Sequence, residues 1–409
     1  VIGADAGAGE ADGVGRLLQA GVEVHLDASG DALAARARTL IKSPGVPQNA
    51  PLVAAARSRG LSVLGELELA WRLLPNECVA VTGTNGKTTT TEWIGHIHRS
   101  AAVPVAVAGN VGTAASSLAG AVGPATTIVC EASSFQLEDT SAFAPEAAVL
   151  LNISPDHLDR HGSYEQYVEA KLKVFANQGN HDIAVTADDL ALGDIGGCAR
   201  RVTFGAGPEA ELALRAGHLW WDERPLLRVE ELALPGAHNR QNAMAAAAVC
   251  LARGLDREAV IAGLRTFAGV PHRLELVATR DGVRFVNDSK ATNVASTIVA
   301  LQAFPERSVH LIAGGRGKGQ DFSSLRPVIG RHCRAVYLIG EAAGELESAL
   351  RGAGVPIVSA GDMEHAVELA RSSAHAQQIV LLSPACASYD QYRDFEERGD
   401  HFRALVTAA

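Results

Sequence analysis

At 409 residues the chain is too long for one ordinary core, so roughly two or three domains are expected. Hydrophobic residues make up 47% and charged residues 20%, which excludes a disordered chain. The formal net charge of −10 excludes bulk attraction to nucleic acid or to an anionic membrane. The longest apolar stretch, AMAAAAVCLA at 243–252, is too short to span a bilayer and reads as a buried helix. The opening VIGADAGAG lacks the charged leader of a signal peptide. The six cysteines have no CxxC spacing, so no zinc site or redox pair is expected, and most are expected to be buried thiols in a reducing cytoplasm.

Apolar strand-like runs alternate with Ala-rich helical runs, the pattern of an α/β chain with parallel sheets. Residues 1–66 form a small section with VEVHLD as a strand, 67–269 a second section, and 270–409 a third that opens at HRLELV. In the second, VAV runs into the loop GTNGKT and then the helix TTTTEWIGHI, with Trp93, Ile94 and Ile97 on a partial apolar face. Strand, glycine loop and helix are the context a phosphate loop requires. Gly83 and Gly86 would let backbone N–H groups turn inward, Lys87 is expected to reach the β- and γ-phosphates, and the Thr88 hydroxyl to bind Mg²⁺. Val81 stands where the general pattern has a glycine, so the match is to a shorter form; the plain alternative is a βα turn with a chance Gly-Lys-Thr.

Two more strands follow, one running into Glu131 and one into Pro155-Asp156-His157. In an open parallel sheet their ends share a crevice with the phosphate loop. Glu131 is a candidate metal ligand; His157 is a second ligand or a hydrogen-bonder to a bound group. In the helix SYEQYVEAKLKVF, capped by Ser163, a rotation of about 100° per residue puts Tyr164, Tyr167, Val168, Leu172 and Phe175 on one face with Lys171 near its centre. A lysine there snorkels, pairs with an acid, or loses its charge. A neutral amine adds CO₂, which would turn Lys171 into a carbamate and an oxygen ligand for Mg²⁺.

In the third section VRFVND, SVHLIAG, AVYLIG and QIVLLS are the strands. Three of them run into turns carrying Asp288, Ser289, Lys290 and Thr292, then Lys318, then Ser388, an edge suited to a small dicarboxylate. His272-Arg273 lies at the junction with the second section, where an Arg would meet a phosphate.

GTNGKT (83–88), GNVG (109–112), EASSFQLE (131–138), PDHLDRHGSYEQY (155–167), AKLKVF (170–175), HNRQNAMAA (238–246), HRLE (272–275), NDSKATN (287–293), GGRGKG (314–319) and SPACASYDQY (383–392) together resemble the Mur ligases, and SSFQLE and NDSKATN the glutamate-adding member. The resemblance implies a small Rossmann-like N-terminal domain for the UDP substrate, a central P-loop mononucleotide-binding ATPase domain and a C-terminal Rossmann-like domain for the amino acid. It implies ATP at Gly83, Thr84, Asn85, Gly86, Lys87, Thr88 and Thr89, with Asn239 and Asn242 on the adenine side and Arg273 and Asp288 on phosphates and ribose. Two Mg²⁺ ions are implied, with Thr88, Glu131, His157 and carbamylated Lys171 as ligands, and Lys87, Glu131, His157 and Lys171 as the catalytic set. Asn110 is implied beside the muramoyl substrate, and Lys290, Thr292, Lys318, Ser388 and Phe395 around glutamate. Asp27 and Gly45 are implied for uridine, although this section departs from the family: Gly7, Gly9 and Gly13 are a residue too widely spaced, and a strand–helix unit is lacking before Ser43-Pro44-Gly45.

The implied activity is ATP-dependent amide formation between UDP-N-acetylmuramoyl-L-alanine and D-glutamate through an acyl phosphate, by a cytoplasmic monomer in peptidoglycan synthesis, hence in cell shape and division. Domain closure over ATP is expected to exclude water. The rivals are a P-loop ATPase or GTPase switch, a ligase for L-glutamate or for folate, and a binding protein that has lost the chemistry.

Overall fold

The structure, a computed structural model, describes residues 1–5, 11–26, 31–110, 112–317 and 320–408, with the backbone alone at 11–13, 31 and 159. The chain divides into two compact units, Val1–Ala268 and Gly269–Ala409. The first contains both stretches expected as the first and second domains.

The expected N-terminal Rossmann-like sheet takes the form of two separate parallel pairs. β1 (Ile2–Ala4) pairs with β2 (Glu23–His25), and β3 (Thr39–Lys42) with β4 (Ser62–Gly65). These strands are only 3 or 4 residues long and mostly exposed or half-exposed, which leaves little apolar surface to join the pairs.

The main sheet of this unit has nine strands: β5 (Cys78–Thr82), β6 (Val105–Gly109), β7 (Thr127–Glu131), β8 (Ala147–Leu150), β9 (Ile183–Ala187), β10 (Arg200–Gly205), β11 (Leu212–Arg215), β12 (His218–Trp221) and β13 (Arg224–Arg228). Their order is β13-β12-β11-β10-β9-β8-β5-β7-β6. From β6 to β11 neighbours are parallel. β12 and β13 are antiparallel, contrary to the all-parallel expectation. The connections explain this: Ala216-Gly217 and Asp222-Glu223 are two-residue loops with positive φ throughout, the hairpin geometry that reverses a chain. A parallel crossover needs far more chain.

β5 is fully buried and lies between β7 and β8, with Val81 opposite Glu131 and Thr82 opposite Leu150. The turns after Thr82, Glu131 and Leu150 therefore leave one edge at a point where strand order reverses, the usual place for a ligand in such sheets. The helix Lys87–Ser100 is held by Trp93, Ile94 and Ile97, each 0% exposed. Trp93 Nε1 also donates to Gly263 O at 3.2 Å. The Ala-rich run expected as a buried helix lies in the helix Ala237–Ala252, buried from Asn242 to Cys250.

The second unit has six strands, β14 (Glu275–Arg280), β15 (Val283–Asn287), β16 (Val309–Gly314), β17 (Cys333–Ile339), β18 (Ile357–Gly361) and β19 (Ile379–Leu382), in the order β14-β15-β19-β16-β17-β18. Among the described residues only β14 is antiparallel, joined to β15 by the two-residue turn Asp281-Gly282. Alternate residues face opposite sides: Leu311 and Leu338 join one core cluster, Ile312 and Tyr337 the other. No helix among the described residues is long and apolar enough to cross a membrane.

Candidate active site

The loop after β5 is built by its glycines and braced by a residue that sequence reasoning missed. Gly86 has φ +84 and caps the helix Lys87–Ser100. A Cβ there would lie 2.2 Å from Asn242 Oδ1, so Asn242, one of the expected adenine-side residues, is pressed against the loop. Asn239, the other, donates to Pro235 O at 2.9 Å. Asn152, just past β8, accepts from Asn85 N at 2.9 Å through Oδ1 and donates to Asn85 O at 3.0 Å through Nδ2. Its own carbonyl accepts from Thr84 N at 3.0 Å. Thr84 Oγ1 lies 3.0 Å from the Tyr167 hydroxyl. Thr88 is buried and Thr89 half-buried at the helix start, where backbone N–H groups favour anions.

Lys171 is 1% exposed within the helix Tyr164–Leu172, as its spacing predicted, but the expected face is shorter than foreseen: Tyr164 is exposed and the helix ends before Phe175, which is buried beyond it. Its Nζ donates to Gly83 O at 2.8 Å, and Lys87 Nζ donates to the same oxygen and to Thr84 O, both at 3.0 Å. The Tyr167 ring lies 4.6 Å from Lys171 Nζ. Burial, with the Lys87 charge adding to it, brings the Lys171 amine down to about 7, against the pull of Asp156 and Glu131. An amine so placed is largely neutral just above neutral pH.

Glu131, 3% exposed, ends β7. Its Oε1 accepts from Asn110 Nδ2 at 3.1 Å, and Asn110 N donates to Glu131 O at 2.9 Å. A cavity of about 100 Å³ is lined by Lys87, Asn110, Phe135, Asp156, His157 and Lys171 among others. His157 is exposed, has φ 50, lies 4.9 Å from the Phe135 ring and has its Nε2 3.5 Å from Asp156 Oδ2. Asp156, missed as a site residue, stood in view beside His157. Lys87, Asn110, His157 and Lys171 are thus brought together, with Glu131 reached through Asn110.

Among the described residues no group of three or more His, Cys, Asp or Glu is gathered for a metal. The donors present near the loop are the Glu131 and Asp156 carboxylates, the Thr88 hydroxyl and the His157 imidazole. The carboxylate and hydroxyl oxygens suit a hard cation that also keeps waters and phosphate oxygens, so these three donors fit Mg²⁺, and the imidazole nitrogen fits it least.

Around the uridine expectations, Asp27 lies outside the described residues. Gly45 lies in an exposed loop held on both sides. Lys42 Nζ meets Val46 O at 2.8 Å and Asp139 Oδ2 at 2.7 Å, and Arg160 Nη2 donates to Pro44 O at 2.9 Å.

In the second unit, Asp288 is 5% exposed and accepts from Ser383 Oγ at 2.8 Å and Leu274 N at 3.2 Å. Burial pushes its carboxyl up to about 7. Lys290 Nζ lies 5.8 Å from the Phe395 ring. The Thr292 amide donates to Lys290 O at 2.9 Å, and Ser388 is 2% exposed. Arg273 is exposed, and Lys318 lies outside the described residues. Arg398, fully buried beneath these turns, was missed; an arginine in the first turns of a helix reads as a solvated charge.

Two family models match. One is the Mur ligase middle domain, over residues 81–250, and the other the Mur ligase glutamate ligase domain, over 272–386. The chain is similar to the UDP-N-acetylmuramoylalanine–D-glutamate ligase of Pelotomaculum thermopropionicum, 43% identical over 400 residues, 95% of this chain and 88% of the relative. It is 40% identical to that of Koribacter versatilis over 399 residues, 95% of this chain and 87% of the relative. Among solved structures it shares the fold of the UDP-N-acetylmuramate-alanine ligase of Thermotoga maritima, with TM-score 0.58 and 20% identity over 100% of this chain and 93% of that one. The MurF ligase of the same organism, solved with ADP, gives TM-score 0.58 and 18% identity over 92% and 97%.

Proposed function

This chain belongs to the Mur ligase family, and we propose that it joins D-glutamate to UDP-N-acetylmuramoyl-L-alanine at the expense of ATP, in cytoplasmic synthesis of peptidoglycan precursors. The observation that carries this reading is the convergence of Lys87 and Lys171 on Gly83 O, in a cavity shared with Asn110 and His157. We further propose three functional sections: residues 1–66 for the UDP part, 67–269 for ATP and 270–409 for the amino acid.

A carboxylate does not condense with an amine in water, because it is an anion with oxide as its leaving group. ATP removes both obstacles. The alanyl carboxylate oxygen attacks the γ-phosphorus, the bond to ADP breaks, and an acyl phosphate forms. A base first takes one proton from the glutamate ammonium; the freed amine attacks the acyl carbon, the bond to phosphate breaks, and inorganic phosphate leaves with the electron pair while the nitrogen's second proton passes to the phosphate. Lys87 offsets charge on the phosphate being transferred, and the N–H groups of residues 83–89 hold it. Asn110 and Glu131 orient the acyl end. The neutral Lys171 amine adds to the carbon of CO₂ and releases one N–H proton to solvent, and the resulting carbamate places an anionic oxygen donor next to Lys87. Thr88, Glu131, His157 and the carbamate would hold Mg²⁺, which supplies Lewis-acid charge to the phosphates. Lys290, Thr292, Lys318, Ser388 and Phe395 receive glutamate.

The test is phosphate release from ATP with UDP-N-acetylmuramoyl-L-alanine and D-glutamate, L-glutamate or no amino acid. Release that needs D-glutamate is expected. Release without any amino acid, or with L-glutamate only, would sink the reading.

A further inference from the structure

Three turns of the second unit meet on one side chain. Arg398, in the helix Phe395–Ala408, is 1% exposed. Its Nε donates to Ser289 Oγ at 3.0 Å and its Nη2 to Ser289 O at 2.8 Å. Nη1 and Nη2 each donate to Cys386 O at 3.1 Å, and Nη1 also to Ala387 O at 3.2 Å. A guanidinium offers five N–H donors in a rigid fork, and each is matched here. The third turn closes over this fork. A Cβ on Gly315 would lie 3.1 Å from Nη1 and 2.2 Å from Ala387 O. Arg316 and Ala387 exchange backbone bonds of 2.9 and 3.2 Å. Ser289 Oγ carries the tie onward by donating to Phe395 O at 2.8 Å.

These turns follow β15, β16 and β19, three adjacent parallel strands, and they lead to Lys290, Thr292 and Ser388. All five bonds of Arg398 go to neutral oxygens, and Asp390 attracts it only from beyond bonding range. Burial accordingly brings the guanidinium down to about 10. A buried cation whose direct partners are all carbonyls and a hydroxyl keeps its charge close beneath these turns, with the Asp390 carboxylate as the acidic group that attracts it from a distance.

We propose that Arg398 is a positioning residue for the incoming amino acid: its fork locks the turns at Ser289, Gly315 and Cys386–Ala387 into one platform and gives that platform the positive charge that suits a dicarboxylate. The inference rests on glutamate being the substrate. A lysine has the charge but not the planar fork, so Arg398→Lys separates geometry from charge.

The experiment uses the whole chain as wild type, Arg398→Lys, Arg398→Ala and Ser289→Ala, with KM for D-glutamate, ATP and the UDP substrate, and thermal melting by circular dichroism. In Arg398→Lys the KM for D-glutamate rises about tenfold or more while the other two stay within about twofold, since the loss falls on one substrate's turns. Millimolar methylguanidinium brings the D-glutamate KM of Arg398→Ala part of the way back, and methylammonium does not. Ser289→Ala, the milder change that decides the matter if the Arg398 variants do not fold, raises the same KM about threefold. A wild-type D-glutamate KM in Arg398→Lys or, where those variants do not fold, in Ser289→Ala overturns the proposal. So does a parallel rise in all three KM values with lowered melting and no response to methylguanidinium. Wild-type protein that does not turn over D-glutamate overturns the proposed function and this inference with it; an active wild type beside unaltered variants overturns this inference alone.

Discussion

Lys171 and Lys87 share one acceptor: both ammonium groups lie on the carbonyl oxygen of Gly83, at 2.8 and 3.0 Å. Burial lowers the Lys171 amine most, and the charge of Lys87 on the same oxygen lowers it further. Removing one lysine should therefore alter the other. Lys87→Met is expected to lower kcat/KM by about 10² or more, from lost transition-state charge. It should also raise the Lys171 pKa and weaken CO₂ uptake. With ¹³C-bicarbonate, a carbamate resonance should appear in wild type, weaken in Lys87→Met and vanish in Lys171→Ala. A resonance that persists in Lys171→Ala would show that the carbon sits elsewhere.

Two of the strongly shifted groups, Lys171 and Asp288, predict opposite pH dependences. Lys171 falls from 10.5 to about 7 on folding. Between those values the unfolded chain holds the proton and the folded chain does not, so this group makes stability rise with pH across about 7 to 10.5, by at most about 1.4 kcal/mol per unit. Asp288 rises from 3.8 to about 7. The folded form holds its proton where the unfolded form has lost it, so stability falls as pH climbs from about 3.8 to 7. Urea midpoints measured against pH check both. Lys171→Met should flatten the alkaline limb and Asp288→Asn the acid limb; unchanged slopes would contradict the assignments.

Gly86→Ala is expected to damage nucleotide binding before it damages the fold. The residue has φ +84, and the new Cβ would meet Asn242 Oδ1 at 2.2 Å. Strained backbone of this kind costs about 1–3 kcal/mol, and the relief available is a shift of Asn242 or of the helix start. ATP affinity by calorimetry should fall about tenfold or more, with Tm lowered by a few degrees. Unchanged affinity would mean that the Asn242 approach has no bearing on the nucleotide.

Much of the first unit's site was legible because its chemistry is local. GTNGKT lies between a strand and a helix, and the 3.6-residue period alone placed Lys171 against the core. What was missed lies in contacts between distant segments. Asn152 is an ordinary polar residue after a strand until the sheet puts Leu150 opposite Thr82. The residues that hold Arg398 lie 11 to 109 positions away along the chain. β18 has a half-exposed alternation with only short apolar runs. Asp222-Glu223 adopts positive φ without glycine or asparagine, so nothing marked the second reversal of the antiparallel edge.

Arg160 joins the loop near the N-terminus to the cavity, and its loss should register on one substrate. Nη2 donates to Pro44 O at 2.9 Å, while the guanidinium lies 3.8 Å over the Phe135 ring. Phe135 in turn stacks on His161 at 5.2 Å and lines the cavity beside His157. A stacked guanidinium contributes about 1–2 kcal/mol, and its bond to a carbonyl adds about as much. Arg160→Met frees the Ser43–Val46 loop without touching the phosphate loop. The KM for the UDP substrate should rise about tenfold, with the KM for ATP nearly unchanged. Arg160→Lys should recover little, since an ammonium cannot both stack flat on Phe135 and reach Pro44. Initial-rate kinetics with each substrate varied in turn measure this, and a rise in the ATP KM alone would show that Arg160 serves the nucleotide instead.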